Sequence, residues 1–441
     1  MKNQNISRRL FIKKSLTTGV ATGIPLIVPF KLFSQNAPSN KITVGCIGVG
    51  RMGLGDMKEF LQLDEVQVVA VCDVDKIRCD NAKNIVDEYY RQKNNLNYSN
   101  SCETYEDYRE LLDRQDIDAV MITTPDHWHA LQGIDAAKAG KDLFVQKPLS
   151  YSIAEGRALV TKVHKYNRIL QVGSQQRSDA KFRFACELVR NNRIGKINNI
   201  KIGYAPDISC GPQPVMNIPE NLNYDFWQGP ATERPYTEFR VHPQVDYGRP
   251  GWMRVQDYCL GMVTGWGSHH MDIAHWGMGI HNSGPVTVWA EAVFPDDGLW
   301  NVHLGFRVDY EYENGIHISM ADNSINDQGV RFEGENGWVY VRRGFIDTFP
   351  KSLLKEKFST GEIRLYRSND HKKNFIESIK SRRDTVAPVD EGHQSGSACI
   401  LGHIAMISGR KLSWNPATEQ FTDDDDANRF LYRPMRDPWA L

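Results

Sequence analysis

The segment ITVGCIGVGRMG, residues 42–53, decides the fold of the first part of the chain. Its first six residues form an apolar run that predicts a buried strand, and a glycine-rich turn follows. Gly48, Gly50 and Gly53 have the spacing Gly-x-Gly-x-x-Gly. These glycines permit a tight turn, close approach of the backbone to a pyrophosphate, and close packing of the next helix on the strand. The segment therefore predicts a dinucleotide-binding turn.

Two features beyond the glycines indicate which dinucleotide binds. Arg51 and Met52 begin the predicted helix, whose N-terminus would face the phosphates. Asp73 ends the next predicted strand, where an acidic residue accepts the adenosine ribose 2′-hydroxyl. A carboxylate there repels a 2′-phosphate, so we expect NAD, although Arg78 nearby leaves NADP open as an alternative.

The pattern along the chain predicts two domains. Strand-like and helix-like segments alternate over residues 41–176, which is typical of an α/β Rossmann domain with a parallel sheet. Residues 177–411 are richer in short β runs, and the Asn314-Gly315 pair predicts a hairpin. We expect this second part to be an α+β domain with a mainly antiparallel sheet, which binds substrate and forms oligomers. Residues 412–441 are expected to be a tail that packs back on the fold.

Composition excludes several classes of function. The 441 residues include 53 basic and 54 acidic ones, and the first forty hold six basic residues and no acid. The remainder therefore has 47 basic against 54 acidic residues, which disfavours nucleic-acid binding because phosphate contacts need clustered Lys and Arg. None of the eight cysteines forms a Cys-x-x-Cys pair, so we expect no zinc site of that kind.

The first forty residues have the order of an export signal. A basic segment with paired arginines, SRRLFIKK at 7–14, precedes an apolar run over residues 16–30. The arginine pair resembles a twin-arginine signal, which directs export of folded proteins, so we expect a periplasmic location. The apolar run is short and contains Pro25 and Pro29, so we expect no stable membrane span. The alternative is a cytoplasmic protein with a basic amphipathic start.

Three motifs carry a family resemblance: Asp-His-Trp-His at 126–129, Gln-Lys-Pro at 146–148 and Gly-Ser-His-His-Met-Asp at 267–272. With them the chain resembles the glucose–fructose oxidoreductase/inositol dehydrogenase (Gfo/Idh/MocA) family over nearly all of residues 41–441. The resemblance implies a Rossmann domain followed by an α/β domain with an open antiparallel sheet. The leader resembles that of the exported branch, which acts on sugars or glycosides.

The resemblance also implies roles for site residues. Thr124, Pro125 and His129 match the loop on the nicotinamide side, although His129 is equally compatible with packing under that loop. Lys147 matches the family's lysine beside the nicotinamide and the reacting hydroxyl, where it would polarise the oxygen or relay a proton.

The segment 267–272 contains the matching histidine. His269 is the expected general base, because histidine titrates near neutrality and can accept a hydroxyl proton. Asp272 lies one helical turn further on and would face the substrate or hold the imidazole. Three histidines and an acid in this region also suggest a metal site. We expect none, because the family reaction requires no metal.

Two positions depart from the family pattern. Gln146 replaces the usual glutamate and so removes a charge that would favour protonated Lys147. Gly265 stands where many relatives have an aspartate that completes the proton relay. Either another acid takes its place or the activity is altered.

Further residues are expected to contact substrate. Gln176 and Arg177 follow the predicted sixth strand, and Trp227 and His393 resemble positions of exported sugar-active relatives. An aromatic ring beside polar groups suits a sugar, which has apolar C–H faces and hydroxyl edges. The alternative for Trp227 is plain core packing.

Three functions are compatible with these residues. The first is an NAD(P)-dependent oxidoreductase acting on a hydroxyl or keto carbon of a sugar or glycoside, with C3 as a candidate and a tightly bound cofactor recycled in place. The second is an NAD-dependent glycosidase that works by transient oxidation and elimination. The third is a non-catalytic cofactor-binding paralogue, which Gly265 favours. An open sheet would expose apolar surface, so we expect a homodimer or homotetramer.

Overall fold

The computed structural model describes residues 41–93, 101–281 and 283–441. The expected export signal, residues 1–40, lies outside the described residues. In the described part of the chain, no helix combines the length and the apolar character needed to cross a membrane.

Six parallel strands form the first sheet, in the spatial order β3-β2-β1-β4-β5-β6. They are β1 (Ile42–Ile47), β2 (Val66–Cys72), β3 (Glu103–Tyr105), β4 (Ala119–Ile122), β5 (Asp142–Val145) and β6 (Leu170–Val172). Strands β4 and β5 are buried at every position, as expected for a parallel sheet covered on both faces. The strand order reverses between β1 and β4, which opens a crevice at the carboxyl ends of these strands.

Helices connect these strands. They are α1 (Arg51–Leu61), α2 (Lys76–Lys93), α3 (Tyr108–Leu112), α4 (His129–Lys138) and α5 (Ile153–Lys165). Helix α5 begins with a capping box, in which the Ser152 side chain accepts from the Glu155 N–H while the Glu155 carboxylate accepts from the Ser152 N–H.

Nine strands form the second sheet, in the order β13-β12-β11-β7-β10-β9-β8-β14-β15. They are β7 (Ile197–Tyr204), β8 (Thr287–Ala292), β9 (Phe306–Glu311), β10 (His317–Asp322), β11 (Gly329–Gly334), β12 (Gly337–Arg342), β13 (Phe345–Phe349), β14 (Leu412–Asn415) and β15 (Gln420–Phe421). Only the β7–β10 pair is parallel among the described pairings. A Rossmann domain followed by a mainly antiparallel sheet confirms the predicted fold class.

Helices cover one face of this second sheet. The helices after β6 are α6 (Ala180–Arg190), α7 (Tyr224–Gln228), α8 (Met262–Gly265), α9 (Gly267–Met278), α10 (His371–Ser381), α11 (Val389–Ser408) and α12 (Asp425–Asn428). Apolar residues of α6, α9 and α11 share one core cluster with the strands. Helix α9 is buried along almost its whole length, because it lies between α6 and α11.

Helix α10 packs on the first sheet although it follows the second one in the chain. Its Phe375 lies edge-on to Phe60 of α1 and to Phe144 of β5, at ring distances of 6.2 and 6.0 Å. Ile376 belongs to the same core cluster. The predicted domain boundaries at 41–176, 177–411 and 412–441 stay predictions. The packing of α10 shows that a helix which follows the second sheet in the chain contributes to the core of the first sheet.

A buried ion-pair network ties the turn after β6 to α9 and α11. The Arg177 guanidinium lies 2.8 Å from a carboxylate oxygen of Asp272 and 3.1 Å from one of Glu391. The Arg177 and Asp272 side chains are 4% and 2% exposed, so little water competes for them. Removing one partner would leave the other charge buried and uncompensated, which costs far more than losing an exposed pair.

Arg177→Met is therefore expected to lower the free energy of unfolding by about 3–5 kcal/mol. The matched control is Arg193→Met, whose guanidinium pairs with Glu356 and Glu362 at a more exposed site. The control is expected to cost about 0–1 kcal/mol. Urea unfolding followed by circular dichroism measures both. A loss for Arg177→Met no larger than that of the control would contradict the network's structural role.

Candidate active site

One cleft of about 640 Å³ opens at the carboxyl ends of the first sheet. Its walls come from the glycine turn, the loops after β4 and β5, the long loop between β7 and α8, the start of α9 and the β12–β13 turn. Nearly all of the predicted cofactor residues line it: Gly48, Gly50, Arg51, Met52, Asp73, Thr124, Pro125, His129, Gln146 and Lys147.

The glycine turn fits a dinucleotide pyrophosphate. Gly48 has φ +80°, and a Cβ there would lie 2.7 Å from the backbone nitrogen of Thr124. A Cβ on Gly53 would lie 1.9 Å from the Gly48 carbonyl oxygen, so this glycine lets α1 pack against the turn. No side chain of the described residues caps the N-terminus of α1. The first N–H groups of that helix can therefore bind phosphate oxygens.

Asp73 is held at the cleft wall by backbone donors. Its carboxylate accepts hydrogen bonds from the N–H groups of Val49 and Asp75, at 2.9 and 3.0 Å. Burial raises the Asp73 pKa, while these two N–H groups oppose the rise. Arg78 instead donates to the carbonyl groups of Pro243 and Asp246. A carboxylate in this place with the nearby arginine already engaged fits NAD.

His129 joins two loops of the cleft. Its ring nitrogens lie 2.7 Å from the Pro148 carbonyl oxygen and 2.8 Å from that of Thr124. The side chain is 1% exposed, and it thereby links the loop after β4 to the loop after β5. His129 thereby holds the loop that carries Thr124 and Pro125, and its expected contact with the cofactor stays a prediction.

Lys147 is half-buried in the cleft, close enough to buried Asp126 for their charges to interact. Burial lowers the Lys147 pKa, and the charge of Asp126 opposes that shift. Burial also raises the Asp126 pKa, which the charges of His129 and Lys147 and a hydrogen bond from the Cys259 thiol oppose. An ammonium with a lowered pKa and a carboxyl with a raised pKa can exchange a proton more readily than either group in water.

Gln146 belongs to a buried polar chain that begins at α10. The Lys372 ammonium lies 2.5 Å from one oxygen of Asp56 in α1, and the Gln146 amide donates to the other oxygen at 2.7 Å. The Gln146 carbonyl in turn accepts from the Lys147 N–H at 3.3 Å. A glutamate at 146 would place a second carboxylate against Asp56, so the amide explains this departure from the family pattern.

His269 faces the cleft beside Arg343 and Trp266. The Arg343 Nη2 lies 3.4 Å from the His269 Nε2, and its guanidinium stacks 4.7 Å from the centre of the Trp266 ring. Because a guanidinium only donates, this contact assigns the lone pair to Nε2 and the proton to Nδ1. Burial, then the charges of Lys147 and Arg343, lower the pKa of His269 well below its usual range. His269 is therefore a neutral base at physiological pH.

Gly265 lines the same cleft, and a Cβ built on it would have no atom within 4 Å. Nothing in the described packing therefore requires glycine here. Asp126 is a buried acid of the cleft whose charge acts on Lys147, although the described residues include no hydrogen bond between the two side chains.

Trp227 lines the cleft within a cluster of aromatic rings. It packs on Tyr258 at 4.8 Å and on His127 at 5.6 Å, and its carbonyl accepts from the Trp128 indole N–H at 3.0 Å. The ring is only 4% exposed, so it combines core packing with a surface on the cleft.

Five predicted site residues do not line the cleft: Gly53, Gln176, Arg177, Asp272 and His393. Arg177 and Asp272 are paired with each other, as described above. His393 lies 2.6 Å from Glu419 and so holds the C-terminal tail against α11. Their expected contacts with substrate and catalytic role stay predictions, and this packing favours structural roles for Arg177, Asp272 and His393.

Several cleft residues had no role in the sequence analysis. Asp126 stands inside the Asp-His-Trp-His motif, so its signal was present. Arg343 in the cleft and Lys372 outside its lining had no such signal, because their partners Trp266 and Asp56 are distant in the chain and the contacts depend on how sheets and helices pack.

Comparison with known proteins identifies the two parts of the chain. The family model described as the NAD-binding Rossmann fold of the Gfo/Idh/MocA oxidoreductase family matches residues 42–174. The model of that family's C-terminal alpha/beta domain matches residues 209–441. An uncharacterized oxidoreductase YrbE of Bacillus subtilis is 30% identical over 387 residues, which cover 85% of this chain and 97% of that protein.

Two other similarities concern part of the sequence and the fold. An alpha-N-acetylgalactosaminidase of Shewanella oneidensis is 34% identical over 166 residues, about a third of each chain. The fold is similar to that of the WlbA dehydrogenase of Chromobacterium violaceum, solved with NADH and UDP-GlcNAcA. The TM-score is 0.64 at 18% identity, covering 85% of this chain and 96% of the other. The Rossmann match and the fit of the glycine turn confirm NAD as the cofactor.

Gly53→Ala is expected to abolish NAD binding, because its methyl group would collide with the Gly48 carbonyl and displace the turn. Gly55→Ala is the matched control, since a Cβ there has no atom within 4 Å and α1 stays unchanged. Isothermal titration with NAD compares the two variants. Tight binding by Gly53→Ala would show that the turn does not hold the pyrophosphate.

Proposed function

Because the chain belongs to the Gfo/Idh/MocA oxidoreductase family, we propose that it is an NAD-dependent oxidoreductase acting on a hydroxyl-bearing carbon of a sugar or glycoside. The observation that carries this proposal is the meeting of Lys147 and neutral His269 in the cleft that also contains the glycine turn. NAD⁺ bound there supplies the two-electron acceptor, at its nicotinamide ring.

The residues of this chain have separate tasks in the proposed reaction. The substrate carbon loses a hydride to the cofactor, and its hydroxyl loses a proton, so that a carbonyl forms. His269 accepts the proton at Nε2, which carries the lone pair. Lys147 donates a hydrogen bond to the substrate oxygen and stabilises the negative charge that develops on it.

Asp126 allows Lys147 both to give and to take up a proton. Its carboxylate favours the charged form of Lys147, whereas burial favours the neutral one. Lys147 can therefore give a proton to the substrate oxygen in the reductive direction and regain it through Asp126. This balance lets one site oxidise an alcohol and reduce a ketone.

A sugar substrate is favoured by the cleft and by the relatives. The Trp227 ring offers a surface for the apolar face of a pyranose, and polar groups surround it. The similar WlbA dehydrogenase was solved with a nucleotide sugar, and the Shewanella relative is a glycosidase. We propose C3 as the oxidised carbon. A ketone at C3 would make the neighbouring C–H groups acidic.

The match to the Shewanella glycosidase favours a second function. Transient oxidation of a glycoside would acidify the neighbouring C–H, elimination would release the aglycone, and return of the hydride would complete the cycle with water added. This route needs no pair of catalytic carboxylates. Retention of Lys147 and His269 makes both enzymatic functions stronger candidates than a non-catalytic paralogue.

The leader supports a further element of the proposal. Its arginine pair favours export of the folded chain, so we place the protein in the periplasm with its cofactor already bound. Without a free NAD pool, turnover would require that a second substrate, or the first product, take the hydride back. The expected homodimer or homotetramer also remains part of this proposal.

A panel of glycosides given to the purified NAD-loaded protein distinguishes these functions. A ketosugar with reduced cofactor, detected by mass spectrometry and absorbance, is the expected result. Free sugar with unchanged cofactor would favour the glycosidase. His269→Ala is expected to lower kcat by about 10²–10⁴-fold while NAD still binds. His164→Ala is the control, because that histidine is exposed and pairs with Asp390. If no sugar is consumed and none alters the cofactor, both enzymatic functions are wrong.

The pH profile tests the state of His269. Its pKa lies well below the ordinary 6.5, so the neutral base persists as the pH falls through that value. For a neutral glycoside, kcat/KM is expected to stay level through pH 6.5 and to fall only at clearly lower pH. An acid limb centred near 6.5 would contradict the lowered pKa.

A further inference from the structure

Arg343 is the feature of the cleft that the proposed reaction does not use. It lies at the turn between β12 and β13 and reaches back over Trp266, so that its Nη2 lies 3.4 Å from the His269 Nε2. A cation beside the proposed base opposes the acceptance of a proton there. The position of Arg343 therefore disfavours proton transfer to His269 unless another group neutralises the charge of the arginine.

The charge of Arg343 is uncompensated. Among residues 41–93, 101–281 and 283–441, no acidic side chain forms an ion pair with Arg343 or with Lys147. Asp179 attracts Arg343 from further away, but its carboxylate accepts from the Lys181 N–H. Arg343 is exposed at the mouth of the cleft, where its guanidinium stacks on Trp266 and contacts His269. A fixed guanidinium without an acidic partner favours the binding of an anion.

The cofactor does not supply that anion. Its pyrophosphate belongs at the glycine turn and the N-terminus of α1, whereas Arg343 lies with His269 at the substrate end. Arg249, the other arginine of this part of the cleft, already lies 3.6 Å from Asp207. Among the described residues that line the cleft, Arg343 is therefore an arginine at the substrate end without an acidic partner.

We propose that the substrate is an anionic sugar whose acidic group, in the first place a carboxylate, is bound by the Arg343 guanidinium. The planar guanidinium matches a carboxylate through two parallel hydrogen bonds, and Trp266 holds it in plane from one face. This inference rests on the proposed function and names its substrate class.

Binding of the anion would also prepare the base. A carboxylate on Arg343 would draw the guanidinium from Nε2 and neutralise its charge, which lowers the His269 pKa in addition to burial and the charge of Lys147. The lone pair is then free to accept the substrate proton. The site would thereby couple recognition of the acidic group to proton transfer.

Binding to the NAD-loaded protein tests the inference independently of turnover. The probes are methyl β-glucuronide, methyl β-glucoside and glucose 1-phosphate, with quenching of tryptophan fluorescence as the readout. The glucuronide is expected to bind about ten- to a hundredfold more tightly than the glucoside. Tighter binding of glucose 1-phosphate than of the glucuronide and the glucoside would support an anionic substrate whose acidic group is a phosphate.

Variants identify the group responsible. Arg343→Gln is expected to bring the glucuronide-to-glucoside ratio close to one, and Arg343→Lys to keep part of the preference, because a lysine retains the charge without the fork. Arg342→Gln is the matched control, since this exposed neighbour stacks on Phe345 and does not line the cleft. All variants should bind NAD as the wild type does.

Equal binding of glucuronide and glucoside by the wild type would overturn the inference, and so would a preference that survives in Arg343→Gln. If the glucoside is then oxidised at His269, the proposed function stands without the anionic substrate. If the glucuronide binds through Arg343 but no sugar is ever oxidised, the proposed function fails while the anion site remains.

Discussion

The buried contact between Lys372 and Asp56 holds the two parts of the molecule together. Lys372 comes from α10, late in the chain, and Asp56 from α1, which carries the glycine turn. Both side chains are almost completely buried, so each charge depends on the other for stability. The same carboxylate accepts from Gln146, the residue before Lys147. One carboxylate therefore links the helix after the glycine turn, the loop that carries Lys147 and helix α10.

The charge distribution of the cleft follows from this framework. Burial lowers the pKa of His269, and the charges of half-buried Lys147 and exposed Arg343 lower it further. A base that stays neutral and a lysine that is easily deprotonated are properties of the whole arrangement rather than of either side chain. Asp126 moderates this balance, since its charge raises the Lys147 pKa against the effect of burial.

The parts that could be predicted from the sequence depend on local spacing. The glycine turn, Asp73 and the alternation of strands and helices predicted the Rossmann domain, because these features act within a short stretch of chain. The location of Lys147 and His269 in one cleft followed from the family resemblance. Spacing along α9 could not show that Asp272 points to Arg177 instead of the cleft, because an i, i+3 pair shares a helix side without specifying what that side faces. Arg343 was missed for a related reason, since its role depends on a contact with a helix 74 residues away in the chain.

The packing of α10 on the first sheet has a consequence for synthesis of the chain. A nascent chain that ends before residue 371 has all six strands of the first sheet, but it lacks Phe375 and the Lys372 charge that Asp56 requires. The amino-terminal half therefore completes its core only after most of the protein has left the ribosome. Domains usually fold in the order of their synthesis. Here a helix made late, His371–Ser381, instead completes the core beneath the glycine turn of the first domain.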